Sequence, residues 1–372
     1  MFMKSIKTVY LIGLFFLLQS TFVTGQGCMD DGGDDPIKLM GYIQPQYSHI
    51  FFKTDDYGNT LYKPGNFYFN RARIGVRGAI PYDVSYYVMA ELTPVYTGAP
   101  FLLDAFVTYA PLGKYLKFSM GQFKSPFGLE VNTPCHALYT INRTLTENYL
   151  ASPFRDVGFM ILGSTDTLFG KKDLVKYSFA LMNGTGINHW DDNKYKDFVG
   201  RVVISPWEWL HFGGSFRYGK EGKADGDGQK MRRNWGVDIV FDYNNFLVQG
   251  EYIASYNEGL IGGGGGCGGK KSVSAVTALE TYNRSGYFVM IGYMTPWQLQ
   301  PVVKYEFYNP DGTAYKYLYV EQDFQQTTMT FGLNYFLNDW TRIQINYLRN
   351  AEENSSVEFP NDALMIQVQA KF

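Results

Sequence analysis

Three arginines recur close together in one extended stretch of the sequence. The stretch FNRARIGVRG places Arg71, Arg73 and Arg77 at even spacings, with small or apolar residues between most of them. Even spacings put side chains on the same face of a β-strand. Guanidinium groups carry fixed donors that bind phosphate and carboxylate oxygens. The stretch therefore predicts a line of anion-binding groups; the alternative is that these arginines pair with acids such as Glu91 and Asp104.

A second candidate is the segment from residue 125 to 154, which is longer than a passive connection needs to be. Long segments of this kind often carry a function. Folded into an enclosed space, the segment would narrow that space and present Lys124 and Arg143 to solutes. If the segment stays outside, the same two side chains are simply solvated. The sequence alone leaves both interpretations open.

Residues that could support catalysis are few and scattered. The four histidines, at positions 49, 136, 189 and 211, show no metal-binding spacing such as HExxH. The sequence also lacks the GxSxG motif of a nucleophilic serine. We therefore predict that the protein is not an enzyme and has no catalytic residues, no metal site and no cofactor.

The overall composition favours strands and excludes one class of partner. Aromatic residues make up 17% of the 372 residues, and the chain contains 40 Gly, 30 Tyr and 29 Phe. Such residues are enriched in strands and tight turns. The 33 Lys and Arg are balanced by 35 Asp and Glu, so the chain lacks the basic surface that a nucleic-acid partner requires.

The N-terminus has the pattern of an export signal. Lys4 and Lys7 precede an apolar run from Val9 to Leu18, which is too short to span a bilayer. We predict a signal peptide over residues 1–25 and a flexible segment over residues 26–37. Export leads to an oxidising compartment, where the odd number of three cysteines leaves at least one without an intrachain partner.

From residue 38 onward, apolar and polar residues alternate over long segments. In the last segment Leu364, Ile366 and Val368 fall on one face, whereas Gln367 and Gln369 fall on the other. Alternation of this kind predicts β-strands with two different faces. About 16 strands are predicted, over residues 38–52, 66–80, 83–95, 101–110, 114–124, 155–164, 173–184, 195–206, 207–219, 231–244, 245–258, 283–296, 297–309, 324–338, 339–350 and 360–372.

Strand length and turn pattern favour a membrane barrel over a soluble sandwich. The segments match the length that a tilted strand needs to cross a bilayer. Aromatic residues lie at many strand ends, as interfacial girdles require, and the chain ends on Phe372. Short turns alternate with long connections, which is typical of outer-membrane barrels. We predict an all-β, transmembrane antiparallel barrel over residues 38–372, with an aqueous lumen and the outer-membrane bilayer as its lipid partner.

Several of these motifs together resemble a known family. They are FNRARIGVRG, LDAFVTY (Leu103 to Tyr109), MGQFKSPFGLE (Met120 to Glu130), NRTL (Asn142 to Leu145), NGTG (Asn183 to Gly186) and GEY (Gly250 to Tyr252). The set resembles the phosphate-selective porins O and P along essentially the whole chain after the signal. The stretch GQFKSPFGLE followed by the arginine of NRTL is its most specific part.

The resemblance implies a 16-stranded, usually trimeric outer-membrane porin whose third external loop folds inward. It also implies anion uptake, with Arg71, Arg73, Arg77, Lys124 and Arg143 at positions of the shared motifs. The expected function is passive diffusion of small hydrophilic solutes, chiefly anions such as phosphate. The alternative is a structural or adhesive barrel with a plugged lumen, whose connections 259–282 and 310–323 bind partners.

Overall fold

The structure, a computed structural model, describes residues 37–51, 65–93, 99–165, 167–221, 230–258, 281–310, 325–353 and 361–372. Sixteen of its strands form one closed antiparallel barrel, in which the first strand pairs with both the second and the last. None of the helices in these ranges has the length and apolar character needed to cross a membrane. The predicted signal peptide lies outside the described residues.

The strands follow one another around the wall in chain order. They are β1 (Lys38–Phe51), β2 (Asn66–Ile80), β3 (Val84–Glu91), β4 (Phe101–Tyr109), β5 (Lys117–Lys124), β6 (Arg155–Ser164), β7 (Thr167–Leu168), β8 (Lys171–Lys172), β9 (Val175–Met182), β10 (Asp197–Trp207), β11 (Leu210–Glu221), β12 (Lys230–Tyr243), β13 (Phe246–Glu258), β14 (Thr281–Tyr293), β15 (Leu299–Asn309), β16 (Gln325–Phe336), β17 (Thr341–Glu353) and β18 (Asp362–Lys371). The short strands β7 and β8 pair only with each other. The predicted strand count is confirmed, whereas the β7–β8 hairpin was not predicted.

The two faces of the wall differ as the alternation predicts. On β12, Trp235 and Val237 point outward and are each 51% exposed, whereas Asn234 and Asp238 point inward and are buried. A strand that separates lipid from an interior must alternate in this way, because successive side chains point to opposite faces. The inward residues are buried although they are polar, so other parts of the chain must cover them.

The connections at the two ends of the barrel differ in length. Those from residues 81–83, 208–209, 244–245 and 337–340 are short and join consecutive strands in tight turns. Asn244 and Asn245 both have positive φ angles, 50° and 68°. Two such residues form the turn type that matches the twist of a hairpin. Short turns of outer-membrane barrels face the periplasm, so the long connections lie on the extracellular side.

The longest described connection joins β5 to β6 and folds into the barrel. We call residues 125–154 the inner loop. It contains α1 (Leu129–Asn132), a 3₁₀ turn (Cys135–Ala137) and α2 (Leu145–Leu150). Its apolar residues Phe127, Val131 and Leu150 pack in a cluster with interior residues of the wall. Of the two placements that the sequence left open, the structure has the inward one.

Candidate solute pathway

The first part of the inner loop is held by a wall carboxylate. The Leu129 and Glu130 amides donate to the two oxygens of Glu251 on β13, at 2.7 and 3.2 Å. Gly128 has a φ of 73°, and a Cβ atom there would lie 2.7 Å from Glu147 Oε1 and 2.8 Å from Glu251 Oε1. Only glycine fits between these two carboxylates. The position of Gly128 in the sequence therefore fixes where the loop leaves the wall.

The tip of the inner loop, residues 134–142, reaches the last strands of the barrel. The side chains of Gln369 on β18 and Asn334 on β16 donate to the carbonyls of His136 and Tyr139, at 3.1 and 3.0 Å. The Ile141 amide donates to Asn346 on β17, at 2.8 Å. The loop therefore crosses the interior from β5 to the opposite wall.

The returning part of the loop is held mainly by Arg217 on β11. Its guanidinium donates to the carbonyls of Ala151, Ser152 and Pro153, at 3.0, 2.5 and 3.0 Å. It also donates to the Ser125 hydroxyl at 2.5 Å. One side chain therefore binds both the beginning and the end of the loop. Within α2, Thr144 caps the helix by accepting from the Glu147 amide at 3.1 Å.

Three of the five predicted pathway residues meet at the loop segment 130–135. Arg73 bonds to the Glu91 carboxylate at 2.8 Å, to Tyr42 and to Cys135 Sγ. Lys124 donates to the Thr133 carbonyl at 3.3 Å. Arg143 donates to the carbonyls of Glu130 and Thr133, at 2.6 and 2.8 Å, and to Cys135 Sγ at 3.3 Å. These basic groups therefore position the loop as well as charge its surroundings.

The other two predicted residues stand apart from this group. Arg71 is buried and donates to Gln44 on β1 at 2.9 Å. Arg77 is half-buried nearer the periplasmic end of β2, where it is in register with Lys38 and Tyr87. The structure thus places Arg73 against the inner loop, Arg71 beside Gln44 of β1, and Arg77 further along the same strand.

Several other interior charges form ion pairs with the wall or the inner loop. They include Arg155 with Asp104, Arg201 with Asp238, Arg217 and Arg232 with Asp197, and Lys304 with Glu130 and Glu306. For the β2 arginines, the alternative to anion binding was ion pairing with acids such as Glu91 and Asp104. One such pair is present, between Arg73 and Glu91. Within the described ranges, no three His, Cys, Asp or Glu side chains are arranged to hold a metal ion.

A chain of side-chain amides lines the interior where the first and last strands meet. Asn70 donates to Gln367, Gln367 to Gln344, Gln344 to Asn334 and Asn334 to Gln300, at distances between 2.9 and 3.1 Å. We call these five residues the amide belt. Sequence reasoning missed it, although Gln and Asn at alternate positions of β17 and β18 were a usable signal.

Burial displaces the pKa values of three groups in the inner loop. Burial, with Lys371 and Arg342 nearby, lowers the pKa of His136 to about 4. Burial, and then the charge of Asp242, raises the pKa of Tyr139 to about 12. Burial, and then the charge of Glu130, raises the pKa of Glu147 to about 8. At neutral pH, the side chains of all three groups are therefore uncharged.

Comparison with known proteins finds a similarity to one family. The sequence profile described as "Phosphate-selective porin O and P" matches residues 43–220, which include the inner loop and all five predicted pathway residues. A search of curated protein sequences finds no match. The family match thus agrees with the motifs seen in the sequence.

Solved porin structures share the fold at low sequence identity. An anion-selective porin from Comamonas acidovorans has a TM-score of 0.63 and 11% identity, covering 90% of this chain and 99% of the other. OmpF of Salmonella typhi, in complex with daunomycin, has a TM-score of 0.61 and 13% identity over 91% and 98% of the chains. The trimer form of OmpT from Vibrio cholerae has a TM-score of 0.59 and 11% identity over 90% and 99%.

The fold, the inner loop and the family profile agree with one another. A closed 16-stranded barrel has no free sheet edge, which is what a lipid environment requires of strands. A long connection folded inside such a barrel narrows its interior. Over residues 43–220 the chain is similar to the phosphate-selective porins O and P, and its closed barrel has the fold of outer-membrane porins.

Proposed function

We propose that this porin lets small hydrophilic solutes diffuse across the outer membrane and prefers anions such as phosphate. The observation that carries the proposal is the nature of the partners around the loop tip. Arg71, Lys124 and Arg342 bring three positive charges there, and each donates at least one hydrogen bond to a neutral amide or carbonyl oxygen. A hydrogen bond to a neutral oxygen leaves the positive charge of the donor in place. The narrowed section therefore carries a positive potential, which favours anions.

The proposed preference for anions should be measurable as a reversal potential of the current through the protein. In planar bilayers under a salt gradient, we expect discrete current steps and a reversal potential on the anion side. Replacing Arg71 by Gln should move the reversal potential toward cations, because one interior charge is lost. The matched control is Arg233→Gln, which removes an arginine from the outer face of β12. An unchanged potential in Arg71→Gln at low salt, where screening is weakest, would contradict the role of this strand.

A second candidate function is a structural or adhesive barrel with a closed interior. The observation that favours it is the burial of interior side chains such as Gln344 and Asn334, which are fully covered by the loop and by each other. The connections assigned to partner binding lie outside the described residues, except for Thr281 and Tyr282 of β14 and Pro310. A folded, heat-modifiable barrel that carries no current would support this candidate over the porin.

We also propose that the barrel assembles as a homotrimer. Three adjacent strands, β3, β4 and β5, have only 8, 9 and 8 residues, whereas β1 and β2 have 14 and 15. A tilted strand needs about 9 to 11 residues to cross a bilayer. Other copies of the chain would cover a wall this short better than lipid does. The neighbour from Vibrio cholerae is titled a trimer form, which agrees with this assembly.

Cross-linking tests the proposed interface. In a background without the native cysteines, Met120→Cys on β5 should form cross-linked oligomers in the membrane, because Met120 is 71% exposed on the short wall. Val237→Cys on β12 is the control, since Val237 is 51% exposed on a long-stranded wall. Equal cross-linking at both positions, or at neither, would contradict an interface on this wall.

A further inference from the structure

The β7–β8 hairpin lies at the periplasmic end of the barrel, in the connection between β6 and β9. Strands alternate in direction around the wall, so this connection lies at the same end as the 208–209 turn. In the hairpin, Thr167 pairs with Lys172 and Leu168 pairs with Lys171. Directly opposed residues of antiparallel strands point to the same side. Leu168 and Lys171 therefore share one face of the hairpin, and Thr167 and Lys172 share the other.

The turn of this hairpin carries a residue that its backbone conformation disfavours. Phe169 and Gly170 have φ angles of 52° and 72°, which is the two-residue turn that asparagine followed by glycine forms best. Phenylalanine in the left-handed region is costly, because its Cβ atom crowds the following carbonyl oxygen. The side chain is also 86% exposed, so the hairpin itself gives the ring little to pack against. A large apolar side chain kept in such a position indicates a partner outside the chain.

Lys171 fastens the hairpin to the outward side of the wall. Its ammonium donates to the carbonyl of Pro206 on β10. The same ammonium lies 4.7 Å from the centroid of the Trp207 ring, which is a cation–π distance. Trp207 is in register, through Leu210 on β11, with Phe241 on the outward face of β12. The hairpin is therefore held beside the lipid-facing side of the wall.

Aromatic rings continue along this outward side at the same level. Trp207 stacks on Trp209 at a centroid distance of 5.1 Å, and Trp209 contacts Phe241 and Tyr243 edge-on at 5.5 and 5.7 Å. Trp207 and Tyr243 are each 50% exposed. Outer-membrane barrels carry such rings at the level of the lipid headgroups. The hairpin that is fixed to Trp207 therefore lies at the boundary between the bilayer and the periplasm.

We propose that the β7–β8 hairpin inserts Phe169 into the periplasmic leaflet of the outer membrane, with phospholipid as its partner. Leu168, which is 38% exposed on the face of Lys171, enters the same layer. Phenylalanine and leucine are stabilised at the boundary between headgroups and acyl chains. The stem of Lys171 can lie along lipid while its ammonium stays at the headgroup level. The inference is independent of solute selectivity and adds a lipid contact that lies outside the barrel wall.

A spin label measures the depth of the hairpin directly. In a background without the native cysteines, a nitroxide is attached to Phe169→Cys, and the barrel is placed in nanodiscs of phosphatidylethanolamine and phosphatidylglycerol. Oxygen concentrates in the hydrocarbon, whereas a water-soluble nickel chelate stays outside it. We expect the ratio of oxygen to nickel accessibility to be about fivefold higher there than for Asn245→Cys. Asn245 is the matched control, because it is exposed, has a φ of 68° and lies in a two-residue turn at the same end.

A pair of lysine variants tests the attachment of the hairpin to the wall. With the label at position 169, Lys171→Gln should raise the accessibility to nickel by about threefold or more, because the hairpin loses its contacts with Pro206 and Trp207. Lys172→Gln is the control, since Lys172 lies on the opposite face of the hairpin, and it should leave the accessibility unchanged. Equal changes in the two variants would contradict a hairpin that Lys171 holds against the membrane.

Phe169→Asn provides a measurement without a label. Asparagine suits this turn better than phenylalanine does, so a hairpin whose phenylalanine has no partner should become more resistant to trypsin. A hairpin anchored in lipid should instead lose its anchor. In the same nanodiscs, we expect trypsin to cut after Lys172 about tenfold faster in Phe169→Asn than in the wild type. Equal or slower cleavage in the variant would overturn the proposal.

Other partners are distinguished by the same label. A label at position 169 that is as accessible to nickel as the label at position 245 would overturn insertion into lipid. If that label is then protected by added peptidoglycan, the hairpin binds the cell wall instead of the membrane. Current through the barrel is not a readout in any of these tests, so their result does not depend on the proposed function.

Discussion

Arg217 shows how much of the interior depends on one side chain. Its guanidinium binds three consecutive carbonyls at the end of the inner loop and the Ser125 hydroxyl at its beginning. Alternation along β11 predicts that this side chain points inward. The carbonyls that it binds lie more than 60 residues away in the sequence, and alternation carries no information about such partners.

Replacing Arg217 by Ala should release both ends of the loop from the wall. We expect the free energy of unfolding to fall by about 2 to 4 kcal/mol, because several buried carbonyls lose a charged donor. Proteinase K should then cut within residues 125–154 faster than in the wild type. Arg233→Ala is the control, since Arg233 contacts Tyr256 on the outer face. A loop equally protected in both variants would contradict the anchoring role.

Glu147 should make the docked loop less stable as the pH rises from acidic to mildly alkaline values. Burial raises the pKa of this carboxyl to about 8, so its contribution to stability is complete below its unfolded value of 4.5 and is lost as the pH rises through 8. The melting temperature of the wild type should therefore fall as the pH rises from about 4.5 to about 8, where only the folded state holds this proton. Glu147→Gln, which keeps the neutral form, should show a smaller fall.

The exposed Glu208, in the turn between β10 and β11, supplies the control for this titration. Glu208→Gln should follow the wild type at every pH. Parallel curves for the wild type and Glu147→Gln would show that Glu147 is not the group that titrates.

At the scale of elements, the strands were predictable and the course of the loop was not. The alternation of apolar and polar residues located the sixteen barrel strands because each strand separates two different environments. The inner loop has no such repeat. Its position depends on contacts such as Ile141 with Asn346, which join residues far apart in the chain. A single sequence records the residue types at such a contact, but not the pairing.

The amide belt should contribute measurably to stability. Replacing Gln344 by Leu removes the donor to Asn334 and the acceptor for Gln367, both of which are buried. Leaving these groups unsatisfied should cost about 2 to 4 kcal/mol, measured by denaturant unfolding of the purified barrel. Gln249→Leu, at a half-buried position on β13, should change stability by less than about 0.5 kcal/mol. Equal losses in the two variants would argue against cooperation within the belt.

At the scale of the whole molecule, the wall and the inner loop have separate roles. The wall is closed by strand pairing alone, from β1 and β2 around to β17 and β18. The loop fills the interior without contributing a strand to the sheet. The class of fold could therefore be predicted from composition, periodicity and turn lengths. The width of the passage could not, because it depends on the position of the loop.

Deleting residues 134–141 should widen the passage and leave the barrel folded. We expect single-channel conductance to rise about twofold or more, because the tip that crosses the interior is removed. Heat-modifiable migration on gels would verify that the wall still closes. The control deletion, residues 187–194, shortens the connection between β9 and β10 by the same length. Equal conductance in the two deletions would mean that the tip does not limit the passage.

The contacts of the loop tip also constrain the order in which the protein assembles. The tip binds β16, β17 and β18, and it also touches Tyr42 on β1 and Arg73 on β2. These strands come from opposite ends of the polypeptide, and closing so long a segment is a slow, entropically costly event. The tip cannot complete its contacts until β18 has met β1. If assembly stops before this seam forms, the tip therefore stays undocked. Periplasmic proteases can then cut the tip of the unfinished barrel, whereas the docked tip of a finished barrel is protected.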